Sequence, residues 1–159
     1  MSLDDWVLAL HVLSAFAMVA GAVLYSVLLV TIRRTDTPSG VTQLKPVVKV
    51  GDVATGIGAG GTIVFGLWLA FSVGGYDVWD GWILAALILW AVYMEVGRRT
   101  GAVFVSAMQM ADDLEAAGHD GPSADLLEVN RARPLVVGHA LASLLVVLIL
   151  VDMIWKPGA

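Results

Sequence analysis

Four long apolar runs occupy most of this 159-residue chain, and eight of its nine lysines and arginines fall in two of the gaps between them. A chain with that pattern has few options. A helix of about 20 largely apolar residues spans the hydrocarbon core of a bilayer, at about 1.5 Å rise per residue. The runs predict spans over about residues 6–32, 50–73, 78–97 and 134–155. In lipid every backbone polar group must be satisfied internally, which leaves helices or closed barrels. Runs this long belong to helices. The predicted fold is an all-α integral membrane protein, an antiparallel four-helix bundle forming a single domain over residues 1–159.

The cations set an expected orientation. Arg33, Arg34, Lys45 and Lys49 flank the first gap, and Arg98, Arg99, Arg131 and Arg133 flank the third. The middle gap, from Gly74 to Gly81, carries none. Basic loops are retained in the cytoplasm, so both termini are expected outside, in a multi-pass protein of the bacterial inner (plasma) membrane. Trp6, Trp68, Trp79, Trp82 and Trp155 map near the outer boundary, as an interfacial aromatic belt would, and Trp90 lies deeper.

Composition narrows the function classes. Hydrophobic residues make up 58% of the chain and charged residues 14%, against roughly half and a quarter in a soluble domain. The net charge of −5 comes with acids crowded into one loop and no basic face for a polyanion. Nucleic acid is therefore not an expected partner. The expected partners are the lipid bilayer and either a second copy or another membrane protein. The absence of cysteine excludes disulfides, thiolate catalysis and Cys-based metal sites. The acidic start, Met1-Ser2-Leu3-Asp4-Asp5, lacks the basic region of a cleaved signal, so the first run is expected to be a retained helix.

The long third gap, residues 98–133, is expected to be a cytoplasmic loop with a helical extension. Thr100 to Ala117 keeps helical character, and Gly118-His119-Asp120-Gly121-Pro122 breaks it. Ser123 then caps a short polar helix ending near Asn130, and Pro134 restarts the chain as the fourth span. Thr35 to Gly40 has the composition of a turn. The short gap between the second and third spans predicts that those two helices are antiparallel neighbours.

Ionisable residues inside the spans are the candidate chemistry, because a charge at a helix centre costs roughly 2.5–3.5 kcal/mol on insertion scales. Asp52, Glu95 and His139 fall in one inner layer. They read either as a polar cluster for a proton relay or binding pocket, or as packing hydrogen bonds with Glu95 salt-bridged on its own helix. His11 and Asp152 lie near the outer ends of the first and fourth spans, with Lys156 four residues past Asp152. The two helical histidines are about 15 Å apart along the axis by helical rise, too far to share one iron. A haem on His11 alone, or with Met18 or Met153, stays open. Gly56 and Gly60 form a GxxxG step, expected to be a helix-packing face. The glycine pattern at Gly56, Gly58 and Gly61 also fits a dinucleotide motif, but it lacks the strand that motif requires. No catalytic nucleophile–base pair, phosphate loop or metal cluster emerges.

Several short pieces together carry a resemblance: Leu10-His11-Val12-Leu13, Gly51-Asp52, Gly66-Leu67-Trp68-Leu69, the short turn leading to Trp82, Asn130-Arg131-Ala132-Arg133 and Trp155-Lys156-Pro157-Gly158. With these the chain resembles a family of small bacterial predicted integral membrane proteins of unknown function. The resemblance implies a four-helix inner-membrane protein and no assigned reaction. A looser similarity runs to four-helix haem-associated and copper-resistance membrane proteins, which also place a histidine early in helix one. The chain departs from a copper carrier in lacking cysteine and a Met-x-x-Met ladder. It also lacks the intramembrane lysine in helix three of the four-helix protoporphyrinogen oxidases.

Three functions follow as expectations. The leading one is a non-enzymatic membrane component or accessory subunit without a cofactor. The second is a small proton, ion or solute permeation unit using Asp52, Glu95 and His139. The third is a b-type haem or redox membrane protein using His11.

Overall fold

The computed structural model describes residues 2–73 and 77–157. The turn residues 74–76 and the Gly158 of the chain's ending lie outside them. Six helices follow in order: α1 Leu3–Ile32, α2 Pro38–Thr42, α3 Lys45–Ser72, α4 Gly81–Ala116, α5 Ala124–Asn130 and α6 Arg133–Trp155. There is no strand among the described residues. Four of the helical stretches are long and apolar enough to cross a membrane.

Local chemistry sets the helix ends. Ser2 and Asp5 close a capping box that satisfies two first-turn donors of α1. α3 starts at Lys45, five residues before its apolar run, with Pro46 in the first turn where a missing N–H costs nothing. α4 has 36 residues, about 54 Å at the helical rise. That is longer than a bilayer core of about 30 Å, so α4 extends well beyond it. It ends at Gly118, whose φ of 76° is the left-handed conformation that suits glycine. Ser123 caps α5 through Leu126 N–H at 3.3 Å. The segment expected as a simple turn contains α2, where Pro38 supplies a pre-set helical φ at the first position.

The packing order differs from the chain order. α1 packs most extensively on α3, and the pair runs in opposite directions: Gly51 lies against Tyr25, Gly58 against Met18, Gly61 against Ser14 and Gly66 against His11. α4 packs on α6, with Gly138 against Thr100 at one end and Lys156 over the Trp82 ring at 5.3 Å at the other. α1 also touches α6. α3 and α4 barely meet despite the short gap between them, so they are not the packed neighbours expected. Trp90 Nε1 bridges them, donating to the Ala59 carbonyl at 3.1 Å.

Gly56 and Gly60 do not make the close helix approach expected of the GxxxG step. A Cβ at either position would meet nothing within 4 Å. The approach is made by Gly51, Gly58 and Gly61, with Gly21 of α1 set against Thr55. The physical reason is angular. Positions 51, 55, 58 and 62 share the face toward α1 at the 3.6-residue period, and 56 and 60 lie off it.

The two ends of the molecule differ. At the end carrying the arginines, Leu28, Ile32, Val41, Phe104, Leu126 and Leu135 form a core that is at most 4% exposed. Backbone ties brace it: Ser123 N–H donates to the Asp36 carbonyl at 2.8 Å, and Asn130 Nδ2 to the Thr35 carbonyl at 2.8 Å. A Lys45–Asp112 ion pair joins α3 to the extension of α4. The opposite end, where the chain starts and finishes, stays open.

Candidate functional site

A cleft of about 1000 Å³ opens at the terminal end of the bundle and is lined by all four long helices. It exists because α3 and α4 do not close on each other. α1 contributes His11, Val12 and Phe16, and α3 contributes Thr62, Gly66 and Ala70. Trp82, Ala86 and Trp90 line it from α4, and Leu150, Met153 and Lys156 from α6. Met18, fully buried, lies at its inner edge. The lining is mostly apolar with a few polar groups, the usual make-up of a small-molecule site.

His11 is the oriented polar group of this cleft. Its Nδ1 lies 3.1 Å from the Thr62 carbonyl. A carbonyl only accepts, so the neutral ring carries its proton on Nδ1 and a lone pair on Nε2. Gly66 makes this placement available, since a Cβ there would stand 3.0 Å from His11 Cε1. The ring is thus fixed by one backbone carbonyl and one glycine. That pairing was invisible in sequence, because it joins residues 51 positions apart.

Asp152 is 8% exposed, and its Oδ2 is buried with no hydrogen-bond partner among the described residues. The hydrogen bond that His11 makes among the described residues goes to the Thr62 carbonyl, not to Asp152.

Toward the arginine end, each expected polar residue has its own local partner. Tyr25 donates to Asp52. His139 Nε2 lies 2.8 Å from Ser26 Oγ and 3.4 Å from Ser143 Oγ. The Ser26 proton goes to the Ala22 carbonyl at 2.9 Å, so His139 Nε2–H is the donor to Ser26. Glu95 takes both Nε and Nη2 of Arg98 at 2.8 Å, and Arg99 Nε at 2.6 Å. Asp52 and His139 do share a level, since their partners Tyr25 and Ser26 are adjacent, but they sit on different faces of α1. Glu95 lies five residues along α4 from Thr100, the residue against Gly138, hence about 7.5 Å further along the axis. Among the described residues no hydrogen bond joins any two of the three.

The tyrosines at this level were missed in sequence. Tyr25 both donates to Asp52 and packs edge-on against Phe104, with ring centroids 5.6 Å apart. Tyr93 is 5% exposed at the α4–α6 contact. In an apolar span both read as generic aromatics, and only the register of α1 on α3 gives Tyr25 its carboxylate.

Four membrane-length helices around a cleft that opens at one end define a small multi-pass integral membrane protein. The chain belongs to the family of predicted integral membrane proteins designated DUF2269, whose profile matches residues 5–157. No curated protein and no solved structure matches it.

Proposed function

We propose that this protein is a non-enzymatic membrane component that holds a largely apolar molecule bearing one polar group in the terminal-end cleft. The observation that carries this reading is His11: a histidine fixed through Nδ1 on the wall of a mostly apolar cleft of about 1000 Å³, with Asp4, Asp5 and Lys156 also in the lining. A buried polar group discriminates ligands far better than apolar surface does, because an unmatched partner leaves it unsatisfied. The arginine-bearing end is assigned to the cytoplasm by the basic-loop rule, which places the cleft on the outer side of the inner membrane. Reporter fusions at Gly121 and at the C-terminus test that placement, with cytoplasmic signal expected only from the first.

The binding reading is tested by native mass spectrometry and solvent extraction of purified protein. A retained molecule distinct from bulk lipid is expected, and it should be lost from Ala70→Phe, which fills the cleft, and reduced in His11→Leu. Retention of nothing but bulk lipid, or equal retention by all three proteins, refutes it.

A second reading has its own observation. His11 bonds a carbonyl through Nδ1, the usual support of a metal-ligating imidazole, and Met18 and Met153 line the same cleft. His11 Nε2 and a methionine would hold a b-type haem, and the haem would supply one-electron chemistry. A Soret band in purified protein that disappears in His11→Leu supports it. Haem added to detergent-solubilised protein without any such band rejects it.

A further inference from the structure

At the opposite end of the molecule a separate groove of about 650 Å³ lies between the end of α1 and the start of α6. Its lining divides by chemistry. Leu29, Val30 and Val136 form an apolar floor, and Arg33, Arg34 and Arg131 stand above it. Val30 is 53% exposed and Val136 37%, so the floor opens to the bilayer side of the protein. The arginines begin three residues past Val30, about 5 Å along the helix axis.

Among the described residues these guanidinium groups form no ion pair. The ion pairs among the described residues join Lys45 to Asp112 and Arg98 and Arg99 to Glu95, and none involves Arg33, Arg34 or Arg131. Among the described residues the Arg131 side chain makes one hydrogen bond, from Nε to the Arg33 carbonyl at 3.3 Å. That bond ties the entry of α6 to the exit of α1 and leaves the Arg131 terminal nitrogens to other partners. The start of α6 adds to the positive field. Its N-cap, Ala132, offers no side-chain acceptor, and its first turn has no acid, so no carboxylate offsets the positive end of its dipole.

Three like charges beside an uncapped helix start repel one another unless an anion joins them. Retention of a loop in the cytoplasm requires only that cations lie on that side. It does not require Arg131 to be held against the Arg33 carbonyl, nor an apolar floor directly beneath. A molecule that satisfies both halves carries a phosphate for the guanidinium forks and acyl carbon for the valines. Basic pockets between transmembrane helices bind anionic lipid headgroups on this principle. We infer that the groove formed by Arg33, Arg34, Arg131, Leu29, Val30 and Val136 is a binding site for the phosphodiester headgroup of an anionic phospholipid. This site stands independently of the cleft at the other end.

The test uses the full chain in detergent, titrated with phosphatidylglycerol or phosphatidylcholine and read by native mass spectrometry. Phosphatidylglycerol is expected to be retained at least about tenfold more than phosphatidylcholine. Arg33→Gln/Arg34→Gln/Arg131→Gln should abolish that preference. Arg98→Gln/Arg99→Gln, which removes two guanidinium groups that Glu95 already holds, should keep it. Should the triple variant fail to insert, Arg131→Gln alone should lower the preference several-fold. Val136→Trp should also lower it, by blocking the floor without altering charge. Equal retention of the two lipids overturns the proposal, as does equal loss in the Arg98/Arg99 variant. Displacement of phosphatidylglycerol by equimolar inorganic phosphate would overturn it as well, by showing an anion site that ignores the acyl chain.

Discussion

Replacing Gly58 by alanine tests the packing of α1 on α3 most directly. A Cβ there would stand 2.7 Å from Met18 Cα and 2.9 Å from the Ala17 carbonyl carbon. Carbon atoms pack comfortably at about 3.5–4.0 Å, and both neighbours are backbone, so the helices must part by about 1 Å. Overpacking of this kind costs about 1–3 kcal/mol. Gly56, two residues earlier in the same helix, has open space around its Cβ position. Each change gains the same helix propensity, about 0.8–1.0 kcal/mol for alanine over glycine. The difference between Gly58→Ala and Gly56→Ala therefore isolates the steric cost, about 1–3 kcal/mol or about 5- to 150-fold in the folding equilibrium. Unfolding in mixed micelles, followed by tryptophan fluorescence, reads it. Equal midpoints, or a less stable Gly56→Ala, would refute the assignment of the packing face.

Asn130→Ala should cost about 0.5–1.5 kcal/mol by removing the bond from its fully buried side chain to the Thr35 carbonyl. Limited proteolysis at residues 117–123 should speed up accordingly. Ser123→Ala removes the α5 cap and should lower stability by about 0.5–2 kcal/mol, read by the same cleavage rate. Trp90→Phe deletes the Trp90–Ala59 hydrogen bond between α3 and α4 and should widen the cleft. Crosslinking of cysteines introduced at Ile63 and Leu87 should then fall, and unchanged crosslinking would show that other contacts set the gap. Lys45→Ala breaks an exposed pair and should shift stability by less than about 1 kcal/mol.

Much of the fold was legible in the residues. The apolar runs gave four membrane-length helices, and Gly118 and Ser123 marked the break after α4 and the cap of α5, because each acts through local backbone chemistry. What depended on partner choice was not legible. Small residues occur all around α3, so the GxxxG spacing of Gly56 and Gly60 named one face and α1 took another. A short gap implied that α3 and α4 pack together, but the tight fits of Gly58 on Met18 and of Gly138 on Thr100 paired each with a different helix. The cleft is the space left by that pairing, and spaces have no residue signature. His11 drew notice as one of two histidines inside the spans. Its anchoring by Thr62 and Gly66 required the register of two helices far apart in sequence.

The packed cap at the arginine end has a consequence for traffic. Leu28, Ile32, Val41, Leu126 and Leu135 shut that end with side chains at most 2% exposed. A molecule held beside His11, as proposed above, would meet a floor there and leave by the mouth it entered. The bundle would then be a cul-de-sac, with entry and exit on the same side.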